Sequence, residues 1–243
     1  MITNRSSQVF RPINVASRNG LSVAGCLAMI ALLAVVIALF LPAVRFSGEA
    51  AHRSQCKNSL KQIGLALHRY EADYGVLPPA FTVDADGEPL HSWRTLILPY
   101  LDEELLYQTI DLSKPWDDPV NKKARDTRVT MYLCPSVETT NPSETTYLAI
   151  VSHDSCFGRV EGRPLSDVTS DHDQTIMVID AGHEWAVHWM APTDIDERFL
   201  DHLKDEDAFQ HVGGLQATLV DGSVRFFSAD MDRDQWHELL SRN

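Results

Sequence analysis

The apolar positions of this chain change their period at about residue 45. Residues 21–44, LSVAGCLAMIALLAVVIALFLPAV, form a run of 24 residues without a single charge. A bilayer core needs about 20 such residues as a helix, so the run is long enough to span with some tilt. A secretory signal has an apolar core of only about 7–15 residues, and the length here predicts an anchor that stays. From Arg45 the run gives way to an amphipathic pattern. Leu60, Ile63, Leu67 and Tyr70 recur at helical spacing, with Lys57, Lys61 and Arg69 on other faces. Gly75 and the Pro78-Pro79 pair end the pattern, which predicts one long helix from about Leu21 to Tyr74. Pro42 is expected to kink it, because its ring removes a backbone donor and crowds the preceding turn.

Beyond residue 75 the period shortens. TTYLAIV (145–151) and TIMVID (175–180) are rich in strand formers. LQATLV and VRFFS flank Asp221-Gly222-Ser223, and Asp-Gly between two apolar-rich runs predicts a β-hairpin, since glycine accepts the positive φ of a tight turn. Gly213 and Gly214 permit a sharp bend just before the first of these strands. On this reading His211 caps or hydrogen-bonds the turn at Asp221.

Charge sharpens the division. Residues 1–44 carry Arg5, Arg11 and Arg18 and no acidic residue, whereas residues 45–243 hold 18 of the 21 basic residues and all 34 acidic ones, a net of −16. Basic residues ahead of the apolar run place the N-terminus in the cytoplasm and the remainder outside. An acidic surface repels phosphate backbones, so nucleic acid is not an expected partner.

Candidate chemistry is sparse. The sequence holds no H-E-x-x-H, no G-x-S-x-G, no phosphate-cradling glycine loop and no C-x-x-C. His183, His188 and His211, with Asp180 or Asp221, supply metal-ligand types. The five-residue step from His183 to His188 suits neither one face of a strand nor one face of a helix. DADGE (84–88) and SDHDQT (170–175) cluster oxygen ligands of the kind Ca²⁺ prefers, but neither completes an EF-hand loop, so solvated turns are expected and no cofactor is assigned. The five tryptophans read as core and edge packing, or as the wall of a ligand groove.

Several segments together resemble one bacterial family. GLSVAGCLAMIALLAVVIALFLPAV resembles the N-terminal helix of type IV pilins and pseudopilins, with Gly20 at the position before processing and Pro42 where those helices also carry proline. QCKNSLKQIGLALHRYEADYGVLPP, SWRTLILPYLDEELLYQTIDLSKPWDDPVN, LCPS, TTYLAIV and WMAPTDI are similar to the DUF1559 pilin-like proteins. His211 followed after nine residues by Asp221-Gly222 resembles that family's prepilin-associated H-X9-DG signature. Leu21 stands where pilins usually carry phenylalanine, and Gly25 where they usually carry a glutamate that meets a neighbouring subunit's amine in the membrane.

The resemblance implies an α+β, pilin-like fold, with a long N-terminal transmembrane and amphipathic helix packed on an antiparallel β-sheet and a short C-terminal helix. It divides the chain into a cytoplasmic leader (1–20), a transmembrane helix (21–44) and an extracytoplasmic globular domain (45–243). Gly20 and Leu21 are the implied processing site for a prepilin peptidase. Cys56 and Cys134 lie in resembling segments and are the implied disulfide, leaving Cys156 free and Cys26 in the membrane. The expected protein is a single-pass component of a bacterial cytoplasmic membrane. It would contact lipid and other pilin-like subunits as part of a pilus or type II secretion-like apparatus, without chemistry of its own. A monomeric anchored ligand-binding domain and an extracytoplasmic hydrolase remain as the other readings.

Overall fold

A computed structural model describes residues 23–137, 141–203 and 209–241, and for 38–47 the helical backbone alone. The chain falls into two compact units, residues 1–47 and 48–243. Gly20 and Leu21 lie outside the described residues, as do residue 22 and the side chains of 38–44 within and near the expected span. Among the described residues, no helix is long and apolar enough to cross a membrane.

Helix α1 is Val23–Tyr74. In the first unit its side chains over 23–37 are almost all exposed, including Val23, Leu27, Ile30, Leu33 and Ile37. In the second unit α1 is amphipathic, with Cys56, Leu60, Ile63 and Leu67 fully buried. These four are spaced four, three and four residues apart, which keeps them on one side of a 3.6-residue helix.

After α1 come a β1–β2 hairpin (Phe81–Val83 and Pro89–Ser92) and the short helices α2 (Trp93–Leu96), α3 (Glu104–Tyr107) and α4 (Lys122–Arg125). Then follow β3 (Glu144–Thr145), β4 (Tyr147–Ala149), β5 (Ile176–Asp180), β6 (Val187–His188), β7 (Gly214–Leu219), β8 (Val224–Ser228) and α5 (Arg233–Leu240). The main sheet is antiparallel in the order β4-β5-β7-β8, and β3 pairs with β6 separately. The α+β class and the antiparallel sheet are therefore as expected. So is the C-terminal helix, which opens on a capping box between Asp232 and Gln235. The sequence TTYLAIV contributes to two strands because the chain changes partner at Thr146, from β6 for β3 to β5 for β4.

Side-chain alternation along β7 decides which face meets α1. Leu215, Ala217 and Leu219 point to a core shared with Phe199, Trp236 and Leu239, on the side away from α1. Gln216 and Thr218 point the other way: Gln216 Nε2 donates to the Arg53 carbonyl (3.0 Å) and Thr218 Oγ1 to the Leu60 carbonyl (2.9 Å). Backbone and sheet approach so closely here that a Cβ on Gly64 would lie 2.6 Å from the Thr218 methyl. Gly64→Ala is accordingly expected to cost about 1–3 kcal/mol in thermal or denaturant unfolding. Adding Thr218→Ser, which removes that methyl and keeps the hydroxyl, should recover most of the loss; failure to recover would place the strain elsewhere.

The β7–β8 hairpin turns at Asp221-Gly222 as the sequence predicts. Gly222 has φ 76°, Gly222 N–H donates to the Leu219 carbonyl, and Asp221 Oδ1 accepts from Ser223 N–H (2.7 Å). His211 takes no part in that turn, contrary to the expectation. Lys61 fills the role from α1, donating to the Gly222 carbonyl at 2.6 Å.

Candidate functional site

Four elements of the second unit bring their polar groups to one buried point. Asp180 ends β5, an acidic residue closing an all-buried strand. Thr146, between β3 and β4, donates its hydroxyl to Asp180 Oδ1 at 2.6 Å. His211 is brought alongside by the bend at Gly213 and Gly214, whose φ values of 86° and 154° suit glycine. A Cβ on Gly214 would lie 2.0 Å from the Phe227 carbonyl oxygen, so the position tolerates no side chain. Glu49 approaches from α1, its Oε1 2.9 Å from His211 Nδ1. The Cys56–Cys134 disulfide is formed, as the family resemblance implies, and it closes the cluster: ligand-type atoms of Cys56, Cys134, Asp180 and His211 all lie within 4.8 Å of one another.

The electrostatics follow from burial. The side chains of Asp180 and His211 are both 0% exposed. Desolvation pushes the Asp180 carboxyl above its ordinary range. For His211 burial disfavours the charged ring, but the contacts with Asp180 and Glu49 outweigh it and hold the pKa above the ordinary value. Burial likewise opposes ionisation of Glu49, and the His211 hydrogen bond, with help from Arg53, draws its carboxyl below the ordinary range. His211 Nε2 and Asp180 Oδ2 lie 3.4 Å apart, yet their orientation makes no hydrogen bond, and neither atom has another partner. The centre ties α1 to the end of the interior strand β5 through one imidazole.

A second buried constellation joins two further segments. Arg94, in α2, and Asp194 form an ion pair at 2.7 Å with side chains 0% and 3% exposed. Asp194 also accepts from the Trp93 indole (3.1 Å) and from Ala149 N–H (2.8 Å). Arg94 donates in addition to the carbonyls of Tyr147, Trp189, Ala191 and Thr193. Sequence reasoning missed Glu49 and this pair; for Arg94 the available signal is a charge set inside the apolar run SWRTLIL, whereas WMAPTDI and FSGEAAH give none for Asp194 and Glu49.

Beside the disulfide runs a groove of about 830 Å³. Its α1 wall is the polar row Gln55, Asn58, Ser59 and Gln62, and Cys134 and Thr146 face it from the other side. No tryptophan lines it.

The other sequence candidates separate. Among the described residues, Asp180 and His211 share a possible metal-binding cluster, and His183, His188 and Asp221 do not join it. DADGE is the β1–β2 turn, with Asp84 Oδ1 accepting from the backbone of Asp86 and Glu88. His188 packs against Trp116 (4.7 Å between centroids), donates through Nε2 to the Arg125 carbonyl and accepts at Nδ1 from Met190 N–H. Burial, with the charges of Arg125 and Arg94, depresses its pKa to about 4 from 6.5. A depressed folded pKa means that the unfolded chain takes up a proton the folded chain refuses between pH 6.5 and 4. Stability from this residue is therefore complete above pH 6.5 and falls as the pH drops through that window. His188→Asn should flatten the loss by about 1–2 kcal/mol, the partial exposure of the ring taking up some of the full effect. Urea titrations at both ends of the window check this; equal losses in parent and variant would refute it.

No curated protein and no solved structure matches this chain. Residues 48–174 match the profile of a family described as "Protein of unknown function (DUF1559)". That span takes in Glu49, Cys56, Arg94, Cys134 and Thr146, and ends before Asp180, Asp194 and His211. With just over half of its length matched, the chain belongs to the DUF1559 family.

Proposed function

We propose that this protein is a membrane-anchored, pseudopilin-like subunit or accessory of a pilus or type II secretion-like apparatus, acting by helix packing. The observation that carries the reading is the contrast along α1. Its charge-free first part leaves apolar side chains exposed over 23–37, whereas from Gly48 onward it buries one stripe against its own domain. An apolar helix surface of that extent requires lipid or other helices to cover it. In this reading residues 21–44 span the cytoplasmic membrane of a bacterium, the N-terminus is cytoplasmic, and the acidic domain lies outside. The Cys56–Cys134 disulfide accords with an oxidising compartment. Prepilin peptidase cuts between Gly20 and Leu21, and lipid and neighbouring pilin-like helices then enclose the apolar part. Gly25, in place of an intramembrane glutamate, suits a special position in the assembly better than a repeating one.

Intact mass and N-terminal peptide sequencing of protein taken from its native membrane test this. A mature chain beginning at N-methylated Leu21 is the expected result. A chain still carrying residues 1–20 would overturn assembly and leave an anchored domain. The groove beside Gln55, Asn58, Ser59 and Gln62, whose lining also includes Met131, Leu133 and Val137, would then be the site to probe with small amphipathic ligands.

A further inference from the structure

The buried centre at Asp180 has a property that neither a disulfide clamp nor helix assembly uses. Two polar atoms, Asp180 Oδ2 and His211 Nε2, are buried without a hydrogen-bond partner, and their residues share a cluster with the Cys56 and Cys134 sulfurs in which one ligand-type atom from each lies within 4.8 Å of the others. The two atoms face each other at ion-pair distance, but a buried polar atom left without a hydrogen bond still costs about 1–3 kcal/mol, so their convergence calls for a physical account. Their separation of 3.4 Å supplies one. It is long for a hydrogen bond, and it matches the edge of about 3.3 Å between two ligand atoms each about 2.0–2.1 Å from a tetrahedral zinc ion.

We propose that when the Cys56–Cys134 bond is opened, Cys56, Cys134, Asp180 and His211 bind one Zn²⁺ tetrahedrally, with Glu49 orienting the imidazole. Two thiolates, one imidazole and one carboxylate form a donor set that suits Zn²⁺ in a closed, four-coordinate site. Metal at Nε2 leaves Nδ1 to carry the proton, and Nδ1 is the atom 2.9 Å from Glu49 Oε1. That is the carboxylate–histidine–metal arrangement that fixes the ring tautomer in zinc sites. Thr146 holds the other oxygen of Asp180, so the ligating oxygen is already aimed. The cysteines have Cα atoms 5.4 Å apart, and the two sulfurs need to separate only to about 3.8 Å to share a zinc ion. Cys134 and Thr146 face the groove, which provides the route from solvent.

The exchange balances. A dithiol reductant transfers two electrons and two protons to the Cys56–Cys134 bond and closes to its own disulfide. Zn²⁺ then displaces the two thiol protons, which leave to solvent. A small-molecule disulfide that takes up the two electrons, with two protons from solvent, and leaves as two thiols reverses the sequence and releases the ion. The domain thus has a covalent and a metallic staple at one place, joining α1 to the segment after Met131 and, in the metal form, to β5 and His211 as well. This property is independent of whether the chain enters a filament.

The test uses the full chain in detergent, reduced under argon with a phosphine, which becomes its oxide with an oxygen from water. Zn²⁺ or Co²⁺ is added, excess ion is removed, and metal is counted by plasma mass spectrometry. One ion per reduced chain and none per oxidised chain is expected. The Co²⁺ form should show sulfur-to-cobalt charge transfer and the visible bands of tetrahedral cobalt. Asp180→Asn and His211→Ala should each weaken binding at least about tenfold, and Glu49→Gln about 10–100-fold with the cobalt bands retained. Circular dichroism of each oxidised variant separates a folding defect from a lost ligand. Any of three results overturns the proposal: a reduced chain that binds no metal, including one that stays unfolded in excess Zn²⁺; cobalt bound without charge transfer from sulfur; or undiminished binding by the His211→Ala chain.

Discussion

Asp194→Ala is expected to lower the unfolding free energy by about 3–5 kcal/mol, because it leaves a buried guanidinium without its counter-charge. Arg94 cannot escape by losing its proton, since arginine stays charged throughout the accessible pH range. It cannot turn to solvent either: its side chain is 0% exposed and held by four backbone carbonyls. The substitution also strands the Trp93 indole and Ala149 N–H, which donate to the same carboxylate. Replacing both charges, as Arg94→Met with Asp194→Leu, should restore only the part of the loss due to the unpaired charge, because the Trp93 indole, Ala149 N–H and the four carbonyls stay unmatched. Denaturant unfolding of the three variants and the parent forms the test. A single substitution costing less than about 1 kcal/mol would mean that water reaches Arg94.

The second large effect is expected at the disulfide. Cys56 and Cys134 are 78 residues apart, so their bond constrains a long stretch of unfolded chain. Loop-closure entropy for that length corresponds to about 4–5 kcal/mol at room temperature. The Cys56→Ala, Cys134→Ala chain, measured under oxidising conditions without added metal, should unfold that much more easily. Both cysteines are buried in the core that α1 shares with Tyr147 and Met177, so lost packing adds to the entropic term. A loss below about 1 kcal/mol would indicate that the unfolded chain already holds α1 against the segment around Cys134.

The residues differ in how far the sequence disclosed them. The stripe Leu60, Ile63 and Leu67 was legible because a helix repeats its core face every three to four residues, and all three are fully buried. The β7–β8 hairpin was legible because Asp221-Gly222 is local turn chemistry. His211 was singled out, but its partner was misplaced: the nearby Asp221 is occupied by Ser223, and the imidazole instead meets Glu49, 162 positions away along the chain. Trp93 and Trp189 read as core residues, and they are, yet the pattern gave no hint that the residue beside Trp93 pairs with a carboxylate 100 positions later. His188 looked like a metal-ligand candidate and is a packed, neutral ring that accepts from Met190 N–H.

The sequence by itself determined the helical stripe of α1, the strand-rich remainder, the turn at Asp221-Gly222 and the acidic charge balance of the domain. All of these depend on neighbours within a few residues or on composition. Tertiary structure alone decided that Glu49, Cys56, Cys134, Thr146, Asp180 and His211 share one buried point, and that Arg94 finds Asp194. A buried charge must be matched by whatever group the fold carries to it, and that choice depends on chain topology over a hundred residues. Periodicity records which side of an element faces inward; it holds no information about what waits there.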